Sequence, residues 1–194
     1  SCKIDIFISG IIEDNIEELI LQNENIVKLK DRQPNYETPK SLNKKSEREK
    51  IVTESMEVTQ GKLVLGLDID IDKEDLKYDV LVYNSILGGT ANSKMFQNVR
   101  EKAHLAYVAS SSYLRYKNNI FINCGIEIEN YEKALELIKQ QIDDMKKGDF
   151  SDEELENYKK GIIATIKTID DEQDTGITYY FGQELTNHKI TIQE

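Results

Sequence analysis

The chain has 194 residues, 39% hydrophobic and 31% charged, with only 2 Pro and 10 Gly. That composition excludes collagen-like and disordered classes and fits a single domain, or two small ones at most. Its 25 Lys and Arg stand against 36 Asp and Glu, a net charge of −11 at pH 7, which argues against a nucleic-acid binder, since such proteins present a basic face to phosphate.

In chain order, Ile4, Ile6 and Ile8 alternate with Asp5 and Phe7 and predict a strand. A strand so early, with no initiator Met, predicts a chain cut from a longer one. Asp14 precedes a short helix through Ile16, Leu19 and Ile20. Periodicity is then lost from Gln22 to Lys50, which holds Pro34 and Pro39 and predicts one long loop. Its basic stretch from Lys40 to Lys50 reads as a solvated loop. The runs Ile51 to Val58 and Leu63 to Ile71 predict a hairpin about Thr59, Gln60 and Gly61, because glycine tolerates a positive φ.

A helix is expected from about Asp72, with Leu76, Val80, Tyr83 and Leu87 on one stripe and a stop at Gly88-Gly89. A shorter helix follows from Asn92 or Ser93, its inner face formed by Phe96, Val99 and Ala103. Leu105 to Tyr116 predicts a strand, Lys117 to Asn119 a turn, and Ile120 to Ile128 the returning strand. Three helical segments close the chain. Two carry clear stripes, one through Leu135, Ile138, Ile142 and Met145, the other through Leu155, Tyr158, Ile162, Ile166 and Ile169. Ser151 and Glu154 form a capping box that sets the start of the second. Hairpins without regular βαβ alternation predict an α+β fold, with helices covering one face of an antiparallel sheet.

Several chemical motifs fail on inspection. Asp68, Asp70, Asp72 and Asp79 occupy an EF-hand frame, but Lys73 stands where the loop needs Gly and the twelfth position lacks the bidentate Glu. The Leu87 to Thr90 segment, LGGT, lacks both the P-loop ending and the third glycine of a dinucleotide turn. A tight turn after a helix stop is the simpler reading, beside a weaker one as an anion cradle. His104 and His188 are the only histidines, with neither HExxH nor HxxEH spacing. Cys2 and Cys124 cannot build a disulfide framework or a four-ligand zinc site, and Cys124 on an apolar strand face predicts a buried, inert thiol. Cysteine usage points to a reducing compartment. With no 18-residue apolar run and no signal-peptide pattern, a soluble cytoplasmic location is expected.

The stretch Ile86 to Ser112, ILGGTANSKMFQNVREKAHLAYVASSS, resembles the signature of the second, non-zinc domain of insulinase-like zinc peptidases, the family of pitrilysin and the mitochondrial processing peptidase. The shared features are the LGG turn, a small-residue break, a helix ending in R-E-K, and L-A-Y ending seven residues after the Arg. The resemblance implies that this chain closes over a peptide opposite a zinc-bearing half, either the removed N-terminal half or a homologous subunit, forming a dimer-like clamshell. On that basis Arg100 and Tyr107 reach into the partner's active site, and Gly88, Gly89 and Thr90 line the substrate chamber. No cofactor is expected in this segment, and zinc belongs to the partner half if that half is active.

Such a pair is chemically sensible. A guanidinium or a phenolic O–H aimed at a peptide carbonyl stabilises the charge that develops in hydrolysis. An extended peptide would add to a sheet edge. Two other readings stay open: a pseudo-peptidase subunit that binds protein without catalysis, and an anion-binding module built on Gly88 and Gly89.

Overall fold

The structure is a computed structural model describing residues 4–29, 49–71, 76–186 and 191–192. His188, Cys2, Asp72 and most of the basic stretch from Lys40 to Lys50 lie outside the described residues. The chain divides into two compact units, one formed by Ser1–Lys40 with Ala164–Glu194, the other by Ser41–Ile163.

The first unit holds α1 (Ile16–Gln22), α2 (Glu24–Val27) and, after the intervening elements, α6 (Gln173–Thr186). The Asn23 side chain caps α2 by accepting from the Asn25 N–H at 3.0 Å, and Phe7 meets Phe181 edge-on, ring centroids 5.3 Å apart. Two expectations are corrected here. The loop expected from Gln22 already contains α2, because Asn23 supplies a cap. Residues 4–8 form no strand: Ile4, Ile6 and Ile8 stay exposed, since alternation expresses a propensity that only a pairing partner realises.

The second unit is built on a three-stranded antiparallel sheet of β1 (Gly61–Asp68), β2 (Ala106–Leu114) and β3 (Asn119–Ile126), in the order β1-β3-β2. β3 is central and strictly alternating, with Ile120, Ile122, Cys124 and Ile126 all buried. Asn118, at φ 49°, turns the chain between β2 and β3, a left-handed position that asparagine tolerates. The hairpin expected between residues 51–58 and β1 is absent. Instead β1 pairs along all eight residues with β3, while Ile51, Val52, Met56 and Val58 remain exposed. Glu54 interrupts the face that carries Val52, Met56 and Val58, and the opposite face holds Thr53, Ser55 and Glu57, so neither is continuously apolar.

Against the sheet's inner face pack α3 (Leu76–Asn84), which runs on into a π-helical turn at Ser85–Gly89, a π-helical segment at Met95–Lys102, and α4 (Tyr131–Lys146). Leu87, Met95, Val99, Ile120, Ile122 and Ile138 are less than 2% exposed, each stabilising the fold by about 1.5–3 kcal/mol. One stripe differs from expectation. In the π-helical segment the buried residues are Met95 and Val99, with Phe96 and Ala103 only half-buried, because wider winding rotates the face presented to the sheet. In α4 the expected stripe holds, Ile138 and Met145 buried and Leu135 and Ile142 partly buried against the core, with Ala134 and Gln141 buried beside it. The polar Gln141 faces inward because it accepts from the Asn98 side-chain amide, which ties α4 to the π-helical segment.

α5 (Asp152–Lys167) opens as its capping box requires: the Ser151 N–H donates to Glu154 Oε2 at 2.8 Å and the Glu154 N–H to Ser151 Oγ at 3.1 Å. Hydrogen bonds from Ser151 hold the Glu154 carboxyl below its ordinary range. Ser151→Ala is expected to cost about 1 kcal/mol in urea denaturation; an unchanged midpoint would mean that the cap contributes nothing.

Candidate functional site

The π-helical segment and the start of β2 place a guanidinium beside a phenol. Arg100 comes from the last turn of the segment, its Cζ stacked 4.5 Å above the Phe96 ring, and its Nε lies 3.6 Å from Glu101 Oε1. Phe96, expected in the core, is therefore the platform under Arg100, a cation–π contact of about 0.5–1 kcal/mol at an exposed site. The F-x-x-x-R spacing was the available signal, since residues four apart on a helix face one another.

Tyr107 is presented by a β-bulge. Ala106 pairs with Ile126 and Val108 with the adjacent Gly125, leaving Tyr107 as the extra residue. A bulge re-aims a side chain, and Tyr107 is 53% exposed although the neighbouring β3 buries Ile120, Ile122 and Ile126. Its hydroxyl donates to Glu127 Oε1 at 3.1 Å. Glu127 lies just past the end of β3, and its other oxygen accepts from Asn130 Nδ2 at 3.2 Å. Bonded to that carboxylate, the phenol holds its proton above the ordinary tyrosine range and stays a neutral hydroxyl at physiological pH.

Arg100 and Tyr107 line one open cavity of about 260 Å³, together with Glu101, His104, Leu105, Ala106 and Glu127. His104 links the π-helical segment to β2 at φ 52°, a left-handed conformation that costs a residue with a Cβ roughly 1–2 kcal/mol. His104, read from the sequence as an ordinary position, lines this cavity, and Glu127 went unread because strand pairing brings it to Tyr107 from twenty residues away.

The glycine turn lies elsewhere. Gly88 is buried against the middle of β2, where an added Cβ would lie 2.5 Å from the Ser111 backbone nitrogen. Ser111 Oγ donates to Asn84 Oδ1 at 2.8 Å, so Asn84, Gly88 and Ser111 form a buried polar knot joining α3 to the sheet. Ser111 is four residues along β2 from Tyr107, about 13 Å at the usual rise. Gly89 and Thr90 are exposed, and neither lines the Arg100 cavity. The turn beyond them is anchored by Tyr158 Oη, which donates to the Asn92 carbonyl at 2.7 Å, and by Lys94 Nζ on Asp149 Oδ2 at 3.0 Å.

Among the described residues no three of His, Cys, Asp or Glu converge to hold a metal ion, so these residues do not fit a zinc site. Asp68, from the EF-hand frame, accepts from Asn119 Nδ2 at 2.6 Å. Cys124 is a buried free thiol whose pKa is pushed up to about 11 by burial. In a Cys2→Ser background, Cys124 is expected to resist thiol reagents at pH 8 until the protein is unfolded; rapid native labelling would contradict this. The sign for stability follows. The neutral thiol is favoured in the fold, so this contribution is present below the ordinary value of 9.0 and declines as pH rises toward about 11.

No helix among the described residues is long and apolar enough to cross a membrane. Residues 3–162 match the family described as "Peptidase M16 inactive domain". A protein of Bacillus subtilis (strain 168) named "Probable inactive metalloprotease YmfF" is 41% identical over 123 residues, covering 62% of this chain and 29% of its own length. The "Uncharacterized zinc protease YmxG" of the same organism is 30% identical over 118 residues, covering 59% and 29%. The chain thus spans less than a third of either relative.

Among solved structures, a conserved protein from Enterococcus faecalis V583 superposes with a TM-score of 0.61 at 32% identity, over 70% of this chain and 32% of that one. A peptidase M16 inactive domain from Pseudomonas fluorescens gives 0.52 at 22% identity, over 70% and 36%, a likeness of fold. The signature at Ile86 to Ser112, the sheet with its packed helices and the match over residues 3–162 agree: the chain belongs to the peptidase M16 inactive-domain family.

Proposed function

We propose that this domain is the substrate-binding, non-zinc half of a two-half metallopeptidase, and that Arg100 and Tyr107 complete the active site of a zinc-bearing half. The observation that carries the reading is the joint lining of one cavity by the two side chains. One is a fixed cation on an aromatic platform; the other is a phenol re-aimed by a bulge. A peptide lying in extended form across this cavity would meet two donors at a carbonyl, where charge develops during hydrolysis. In this reading the chain by itself cleaves nothing and works in the cytoplasm, its partner is the remainder of a longer chain or a homologous subunit, and zinc resides in that partner.

The test is peptide turnover by the complete two-half protein carrying Arg100→Ala or Tyr107→Phe. A large loss with the fold intact supports the proposal. Unchanged turnover shifts the assignment to a pseudo-peptidase subunit that binds protein without catalysis, a second reading favoured by the 41% identity to a relative named as a probable inactive metalloprotease.

A further inference from the structure

Tyr107 is half-exposed on a bulge, where a long phenol arm would ordinarily sample several rotamers. Its hydroxyl is held by Glu127 at 3.1 Å, and Glu127 is steadied in turn by Asn130 at 3.2 Å. Tyr107 leaves the bulge of β2, while Glu127 and Asn130 follow the end of β3, the strand paired with it. The cavity that holds Arg100 also holds both Tyr107 and Glu127.

We infer that Glu127 is a positioning residue, holding the Tyr107 phenol over the cavity beside Arg100 so that its hydroxyl meets a peptide without a search. The inference rests on the function proposed above for Tyr107. Glu127 acts through the tyrosine and need not touch substrate. When a peptide carbonyl arrives, rotation about the Tyr107 Cζ–Oη bond exchanges the Glu127 hydrogen bond for one to the carbonyl, made from a ring that Glu127 has already placed. The carboxylate also raises the pH at which the phenol loses its proton. Preorganisation of this kind raises the rate because a group already placed has little freedom left to lose.

The experiment is a double-mutant cycle in the complete two-half protein, read as kcat/KM for peptide hydrolysis. Glu127→Ala is expected to lower kcat/KM about threefold to tenfold, the scale of one lost hydrogen bond. Glu127→Gln, whose amide oxygen still accepts, should recover most of that loss. In a Tyr107→Phe background, Glu127→Ala should cause no further loss, because both substitutions remove the same interaction. A second readout is independent of activity. With ¹³Cζ-labelled tyrosine, the resonance assigned by its absence in Tyr107→Phe should titrate at lower pH in Glu127→Gln than in the parent.

Undiminished additivity of Glu127→Ala and Tyr107→Phe would overturn the positioning role while leaving the proposed function intact. Faster turnover in Glu127→Ala would also overturn it, making the carboxylate a competitor for the hydroxyl. An unshifted Tyr107 titration would show that the two groups do not interact. If Tyr107→Phe alone leaves turnover unchanged, the proposed function falls first and this inference falls with it.

Discussion

Arg100→Ala is expected to lower peptide turnover by the complete protein about 10²- to 10³-fold, the usual consequence of removing one donor from a developing oxyanion. The size follows from placement. The guanidinium is stacked on Phe96 and flanked by Glu101, so it is held at the cavity before substrate arrives, and Ala leaves nothing to replace it. Tyr107→Phe should give a smaller loss, of about tenfold or more, since it removes only the hydroxyl from a ring that stays on its bulge. Both losses should fall mainly on kcat if the contacts strengthen in the transition state. Losses confined to KM would make the pair simple binding groups. Phe96→Leu, which removes the aromatic platform while keeping an apolar side chain, should produce an intermediate effect.

Gly88→Ala is expected to destabilise the domain by about 3 kcal/mol, at the upper end for overpacking a core. The added Cβ would lie 2.5 Å from the Ser111 nitrogen, 2.6 Å from its Oγ and 2.9 Å from its Cβ. Those atoms cannot step aside cheaply. Ser111 is paired with Ile122 in the sheet, and its hydroxyl is bonded to Asn84. For Gly89→Ala the nearest atoms belong to Asn84, at 3.1 Å and beyond, and the substitution should cost far less. Urea denaturation of the complete protein would separate the two, and a Gly88→Ala variant within about 0.5 kcal/mol of the parent would refute the packing account. This result would also divide the roles within the turn, because Gly88 is spent on close packing whereas Gly89 and Thr90 are exposed.

Much of the second unit is legible in the sequence. The alternation through β3, the start of α5 and its Ser151 capping box depend on residues close in sequence, and each appears as expected. The Ile86 to Ser112 signature was equally readable because its spacing is local. Other expectations failed where a choice depended on distant partners. Residues 51–58 have strand-like composition, yet β1 took β3 as its partner across more than fifty residues. Phe96, likewise, left the core to lie under Arg100.

The amino-acid order alone determined the three strands that form, the helical stretches packed on them and the family, since periodicity, capping and a spaced motif are properties of neighbouring residues. Only the tertiary structure decided that Tyr107 stands on a bulge, that Glu127 holds its hydroxyl and that Gly88 is packed shut against Ser111. Those outcomes depend on strand register and close contact between segments far apart in the chain, which no local pattern encodes.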